Sequence, residues 1–248
     1  MKAMIFAAGL GTRLRPLTDS KPKALVELGG VAMLERVIIK LKNAGITEFV
    51  INVHHFSWQI MDFLKTNNNF GVTIHISDES GQLLDTGGGI LKAREWLDDN
   101  SPFIVHNADI YTDFPINEMM KAHIDRNADV TLLVSERVTS RYLLFDKNGR
   151  MTGWKNITTG EVRSPHDLSE ESDWHQLAFG GVHILNPSVF PLLKMYAVDS
   201  DKFSITPFYV DYCEKLDIRG FQPSNEYNWV DIGRIESLRI AESIVAKP

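Results

Sequence analysis

The 248-residue chain has a single cysteine, Cys213, so no disulfide can form within it. Such usage fits a reducing compartment, and the expectation is a cytoplasmic protein. No stretch reaches the roughly 20 apolar residues of a membrane-spanning helix. The apolar run Met1–Leu10 is short, meets Arg13 and Arg15 at once and lacks a cleavage-like spacer, so it reads as a strand rather than a leader. Positive charge is also in short supply. Lys and Arg number 26 against 32 Asp and Glu, a net charge of −6, which argues against a general nucleic-acid surface but allows a local basic pocket. Repeats, low-complexity segments and linkers are missing. Two nucleotide signatures are absent as well. Gly9-x-Gly11 has Leu14 where the dinucleotide fingerprint needs its third glycine, and no glycine is followed by Lys and then Ser or Thr as in a Walker loop.

What is present reads as an α/β chain, 44% hydrophobic and long enough to bury a core without staples. Lys2–Ala8 has the apolar run of a buried strand. Val31, Leu34, Val37, Ile38 and Leu41 recur at helical spacing, and Gly45 ends that helix. Strands are expected at Glu48–Val53, Val72–Ser77 and Pro102–Asn107. A helix capped by Ser57 carries Ile60, Met61 and Leu64, and a second runs over Thr86–Leu97. Strand–helix alternation predicts a mixed, mostly parallel sheet flanked by helices on both faces. Beyond Asp113, strands are expected at Val130–Glu136, Tyr142–Asp146, Met151–Asn156 and Leu177–Leu185, with a turn at Lys147-Asn148-Gly149 and a polar, acidic loop over Thr158–His175. Helices follow near Pro187–Met195 and Ile205–Lys215, then short strands at Ile218–Gln222 and Asn228–Val230, then a helix at Ile235–Val245. We read one domain, 1–248, with substrate elements inserted after about Asp113.

Four motifs carry chemistry. Ala8-Gly9-Leu10-Gly11-Thr12-Arg13-Leu14-Arg15, followed by Lys21-Pro22-Lys23, sets glycines and cations directly after the first strand. Missing Cβ atoms let backbone N–H groups approach an anion, and the side chains neutralise its charge. Asp85-Thr86-Gly87-Gly88-Gly89-Ile90 opens a helix with glycines, an arrangement that presents free N–H groups. Asn107-Ala108-Asp109 follows a core strand, where α/β sheets place ligand chemistry. Trp229-Val230-Asp231-Ile232-Gly233 holds a second aspartate. Together the two carboxylates suit Mg²⁺, a hard cation that takes few protein ligands alongside substrate phosphates. Asp113, His54 and His55 read as structural or surface residues, and Cys213 as packing on a helix.

These motifs, in this order and over nearly the full length, resemble the sugar-1-phosphate nucleotidyltransferases, with Ala24 where the family pattern usually has proline after Lys23. The resemblance implies a Rossmann-like, glycosyltransferase-A-like fold, with a nucleotide-binding half at 1–113 and a sugar-phosphate-binding half at 114–248. It implies that Arg13 holds the departing pyrophosphate, that Lys23 holds phosphates at the reacting centre, and that Asp109 and Asp231 bind Mg²⁺. It places Ala8, Gly9, Gly11, Thr12, Arg13, Lys23, Thr86, Gly87, Gly88 and Asn107 around the nucleotide. Phe179-Gly180-Gly181-Val182-His183-Ile184-Leu185-Asn186-Pro187 is similar to the family's sugar-side strand, and Trp154-Lys155-Asn156 lies near its sugar-contacting region. Gly181, Asn186 and Lys155 are therefore expected at the sugar phosphate. The Asp85–Ile90 version resembles the N-acetylmuramate-1-phosphate uridylyltransferases, which implies UTP as donor, N-acetylmuramic acid 1-phosphate as acceptor and a place in peptidoglycan recycling. Another hexose- or heptose-1-phosphate nucleotidyltransferase using GTP, CTP or dTTP remains an alternative, as does a non-catalytic nucleotide-sugar sensor. The expected partners are thus a nucleoside triphosphate and a sugar 1-phosphate, with no nucleic acid and no membrane. Monomer and homo-oligomer both stay open.

Overall fold

The computed structural model describes residues 1–166 and 174–246. The first half runs β1 (Lys2–Phe6), β2 (Glu27–Leu28), β3 (Val31–Ala32), α1 (Met33–Asn43), β4 (Glu48–Val53), α2 (Ser57–Thr66), β5 (Thr73–Asp78), α3 (Asp85–Lys92), α4 (Arg94–Leu97), β6 (Phe103–Asn107) and β7 (Ile110–Thr112). The second runs α5 (Ile116–Arg126), β8 (Val130–Ser135), β9 (Arg141–Phe145), β10 (Met151–Asn156), β11 (Val162–Arg163), β12 (His175–Leu185), α6 (Phe190–Tyr196), α7 (Ile205–Tyr212), β13 (Ile218–Phe221), β14 (Trp229–Asp231) and α8 (Ile235–Val245).

The central sheet has the order β13-β8-β12-β6-β1-β4-β5. Only β12 runs against its neighbours there; every other pairing is parallel. The expected mixed, mostly parallel sheet is therefore present. Strands β1, β4 and β6 are mostly apolar because helices cover both of their faces, with Asn52 and His106 as buried polar exceptions. One face packs α3, α4, α6 and α7, and the other packs α1, α2 and α5. The long strand β12 serves two partners. Its His175–Leu177 end pairs with β9, which extends through β10 to β11 as an antiparallel ribbon. Between Phe179 and His183 its register against β8 shifts, and Gly181 takes φ +72° there. That left-handed backbone suits glycine, and it bends the strand over the end of β6.

A third apolar cluster joins the two ends of the described chain. Leu14 packs with Val26, Leu28, Met33, Val230, Ile232, Leu238 and Ala241. Leu14 is fully buried, worth about 1.5–3 kcal/mol by apolar transfer. It anchors the glycine loop between two arginines and ties that loop to β14 and α8.

Several elements depart from the sequence reading. Ser57 is the first residue of α2, not its cap; the preceding Phe56 adopts a left-handed conformation without a side-chain cap. The helix expected over Thr86–Leu97 breaks at Ala93 into α3 and α4. The β2–β3 hairpin, β7 and α5 were not expected. Within the loop expected over Thr158–His175, Val162–Arg163 forms β11 and His175 opens β12, while residues 167–173 lie outside the described residues. No helix among the described residues is long and apolar enough to cross a membrane.

Candidate active site

The glycine loop is closed by its own backbone. Gly11 has φ +66°, and a Cβ there would lie 2.9 Å from Thr18 Cγ2 and 3.1 Å from Lys23 Cβ. The Gly11 carbonyl accepts from Leu14 N at 2.9 Å and from Thr18 Oγ1 at 2.8 Å. This turn buries Leu14 while Arg13 faces a cleft of about 510 Å³ at the C-terminal ends of the parallel strands. The walls of that cleft include Ala8, Gly9, Gly11, Thr12, Arg13, Lys23, Thr86, Asn107 and Asp109. Such a position is where open α/β sheets hold ligands.

Lys23 forms an ion pair with Asp109. Asp231 comes to the same place through β14, whose Asp231 is in register with Ile110 of β7. Ile232 N donates to the Asp109 carbonyl at 2.8 Å, fixing the second aspartate beside the first. Asp113 secures this ladder, its carboxylate accepting from Asn228 N at 2.7 Å and Nδ2 at 2.6 Å. An ideal Cβ on Gly233 would be 2.8 Å from both Arg13 Nη2 and Asp231 Oδ1, so all three groups meet at one point. Burial first, then the neighbouring Asp109 charge, pushes the Asp231 pKa up, against Lys23, Arg13 and Arg137. Asp231 Oδ1 is buried and accepts no hydrogen bond among the described residues. Two close carboxylates with an unsatisfied buried oxygen match the donor set of a hard divalent cation that completes its shell with substrate oxygens. No cluster of three or more His, Cys, Asp or Glu side chains suited to a metal occurs among the described residues.

The second glycine motif corrects an expectation. Gly87 N and Gly88 N are not free: both donate to the Phe203 carbonyl, at 2.9 and 3.2 Å. Thr86 lines the cleft, while Gly87 and Gly88 face the connection between α6 and α7. Gly89 has a separate reason: a Cβ there would lie 3.0 Å from Glu79 Oε1 and 3.3 Å from Asn52 Nδ2. Neither of these polar residues was singled out from the sequence. Asn52 is buried at the end of β4, and Glu79, 1% exposed, follows β5.

A family model described as nucleotidyl transferase matches residues 2–247. This chain belongs to the nucleotidyl transferase family. Among curated relatives, an N-acetylmuramate alpha-1-phosphate uridylyltransferase from Caulobacter vibrioides is 32% identical over 221 residues, 83% of this chain and 88% of the relative. A mannose-1-phosphate guanyltransferase from Saccharomyces cerevisiae is 32% identical over 241 residues, 94% of this chain. The chain spans 62% of that protein's length and 61% of a Dictyostelium discoideum mannose-1-phosphate guanylyltransferase catalytic subunit beta. A solved apo UDP-glucose pyrophosphorylase superposes with TM-score 0.77 at 18% identity, covering 100% of this chain and 98% of that one, and shows the shared fold.

The residues expected at a sugar phosphate are only partly brought to this cleft. Gly181 does meet the site: a Cβ on it would lie 2.9 Å from Asn107 Nδ2. Asn186 does not. It follows Leu185, which pairs with Phe103 at the far end of β6, four residues or about 13 Å from Asn107. Its amide donates to the Ala128 carbonyl at 2.6 Å, a structural bond. Lys155 sits half-buried on β10, outside the walls of the cleft.

Two cations missed in the sequence stand closer. Lys202 lines the cleft. Arg137, on the β8–β9 connection, lies 4.0 Å over the Trp229 ring and donates to the Phe179 carbonyl at 2.7 Å. Trp229 Nε1 donates to the adjacent Gly180 carbonyl at 2.8 Å, so the pair braces the β12 bulge. Neither cation belongs to a glycine or aspartate motif, which is why no local pattern exposed them. The histidines are structural: His54 Nδ1 bonds the Glu79 carbonyl at 2.6 Å. Burial raises the Cys213 thiol to about 11, consistent with packing.

Proposed function

We propose that this chain transfers a nucleotidyl group from a nucleoside triphosphate to a sugar 1-phosphate, giving an NDP-sugar and pyrophosphate. The observation that supports this most directly is the convergence of Arg13, Lys23 and Asp109 on one cleft at the strand ends, with Asp231 held beside Asp109 by the β7–β14 ladder. A phosphate oxygen of the acceptor attacks the α-phosphorus, a new P–O bond forms, and the bond from the α-phosphorus to the bridging oxygen breaks. The electron pair leaves with pyrophosphate. A phosphate monoester has its second pKa near about 6, so the nucleophile is already ionised and no general base is required. In-line positioning and charge neutralisation are the remaining needs.

Arg13 stabilises charge developing on pyrophosphate, and Lys23 that on the transferring group. Asp109 and Asp231 would hold Mg²⁺, which when bound neutralises phosphate-oxygen charge. The glycine loop and Thr86 orient the triphosphate between them. For the finer substrate reading, we favour UTP and N-acetylmuramic acid 1-phosphate, in peptidoglycan recycling in the cytoplasm. The Asp85–Ile90 segment and the uridylyltransferase relative that matches over most of its length support this. Guanylyltransferase relatives make GTP with mannose 1-phosphate the competing pair.

A pyrophosphate-release panel of four nucleoside triphosphates against several sugar 1-phosphates, with Mg²⁺, tests both levels. Fastest release from UTP with N-acetylmuramic acid 1-phosphate is expected. A preference for GTP with mannose 1-phosphate would replace the finer reading. Silence across all pairs would favour a nucleotide-sugar sensor.

A further inference from the structure

Arg137 is a half-buried guanidinium with few partners. It stands on the β8–β9 connection, donates to the Phe179 carbonyl at 2.7 Å and stacks 4.0 Å over the Trp229 ring. Arginine carries five N–H donors. Among the described residues this side chain makes no second hydrogen bond and no ion pair, and its Nε is buried without an acceptor. Burial lowers its pKa, and Asp231, Tyr227 and Tyr142 act the other way. A charge held partly out of water without a close counter-ion is costly to keep. A carboxylate from outside the chain would satisfy it.

Its neighbours set Arg137 beside the reaction centre and not in it. Trp229, under the guanidinium, lies two residues along β14 from Asp231, about 7 Å, and such residues share one strand face. Trp229 Nε1 donates to the Gly180 carbonyl, and the adjacent Gly181 closes on Asn107, which lines the cleft. From the cleft outwards the order is therefore Asn107, the β12 bulge, then Trp229 with Arg137. The cations at the two aspartates are different ones: Lys23 pairs with Asp109, and Arg13 meets Asp231 at Gly233. An acceptor whose phosphate lies at those aspartates has its sugar ring to span the remaining distance to Arg137.

We propose that Arg137 recognises a carboxylate carried on the sugar ring of the acceptor, so that this site selects acidic sugar 1-phosphates. This rests on the nucleotidyl-transfer reading and narrows its acceptor to a chemical class. A guanidinium fork matches a carboxylate through two parallel N–H···O bonds. The Trp229 ring sets the plane of the fork, and the Phe179 carbonyl sets its rotation. N-acetylmuramic acid 1-phosphate carries such a group, a lactyl carboxylate at O3, away from the phosphate at C1. Mannose 1-phosphate and N-acetylglucosamine 1-phosphate carry none. The fork would fit a phosphate as well, and the test separates the two.

That test pairs N-acetylmuramic acid 1-phosphate with N-acetylglucosamine 1-phosphate, which differ only in the lactyl group, using the triphosphate that wild type turns over fastest. Removing Arg137 also removes the bond to Phe179, which affects both acceptors alike, so the readout is the ratio of their kcat/KM values. Wild type should favour the carboxylate acceptor by about tenfold or more. Arg137→Ala should reduce that ratio by about tenfold to a hundredfold, the loss of one charge-assisted contact. Arg137→Lys should restore part of it, since a point charge replaces the fork. Arg137→Gln, which keeps a donor for Phe179, repeats the comparison if circular dichroism shows Arg137→Ala unfolded. No preference in wild type would overturn the proposal. An unchanged ratio in a folded variant, with both acceptors weakened equally, would also overturn it and assign Arg137 to the phosphate or to the β12 bulge. Calorimetric titration of the same two acceptors needs no turnover. Selective weakening of N-acetylmuramic acid 1-phosphate binding by Arg137→Ala supports the proposal even if the pyrophosphate panel is silent, and equal weakening rejects it even if transfer is observed.

Discussion

Asn52 Nδ2 donates to Glu79 Oε1 at 2.8 Å, and through this bond the two loops that face the cleft are joined. Asn52 Oδ1 accepts from Ala7 N at 2.8 Å, at the root of the glycine loop. Glu79 Oε2 accepts from Leu84 N at 2.9 Å, directly before α3. Glu79→Ala would leave these buried donors without an acceptor, at a cost of about 1–3 kcal/mol each. We predict a lowered unfolding midpoint and a raised triphosphate KM, because both loops lose their common anchor. Thermal unfolding and initial-rate kinetics measure the two effects; a variant with native midpoint and native KM would contradict the brace.

Asp109→Asn should nearly abolish turnover while the far-ultraviolet circular dichroism spectrum persists. The amide keeps the shape but neither pairs Lys23 nor holds a divalent cation well. Chelation of wild type with EDTA should give the same silence, reversed by added Mg²⁺. Mg²⁺-dependent turnover at the wild-type rate in Asp109→Asn would end the metal assignment.

Arg13→Ala should lower kcat at saturating triphosphate, by about 10²-fold if one donor to the leaving group is lost. Gly233→Ala tests the same point without removing a charge, since its added methyl would sit 2.8 Å from Arg13 Nη2 and from Asp231 Oδ1. It should reproduce part of the Arg13→Ala defect. Pyrophosphate release at saturating substrates reads both variants, and normal rates in either would place the guanidinium away from the chemistry.

His106 and His183 make acid stability predictable. Burial holds the His106 pKa down to about 4 and that of His183 to about 3, with the His106 charge a further cause for the latter. The native protein therefore refuses protons that the unfolded chain accepts below about pH 6.5. Stability is fully present above that pH and falls as the pH drops towards 4, by about 2 kcal/mol per histidine at pH 5. Urea midpoints at pH 7.5 and 5.0 should show this fall. His183→Gln, though weaker at pH 7.5 because Tyr209 loses its 2.6 Å partner, should lose less on acidification.

Much of this molecule was legible because its signals are local. Buried parallel strands such as Glu48–Val53 are mostly apolar, and the glycine, arginine and aspartate motifs hold their chemistry within a few residues. What escaped detection depends on distant partners. Asp231 and Asp109 approach only through the β7–β14 ladder, and β7 is three residues long, too short for any periodicity. Helix α5 buries Ile116, Met119 and His123, and a buried histidine dilutes its apolar stripe. Gly87 and Gly88 looked like an anion cradle because composition cannot distinguish a glycine that presents its N–H to a ligand from one that accepts a neighbouring backbone. Asn186 looked like a site residue because a motif continues in sequence past the point where β12 has carried it to the other end of the sheet.

Leu14 packs with Val230 and Ala241, residues separated from it by most of the chain. While this protein is being synthesised, its glycine loop emerges well before β14 and α8 and until then has no floor to rest on. The strands β1, β4 and β6 can already pair, yet Arg13 stays undirected until β14 and α8 leave the ribosome. Contacts of such long sequence separation close late in folding. A product that stops before β14 would thus hold much of the sheet without a fixed glycine loop, so the direction of Arg13 waits for β14 and α8.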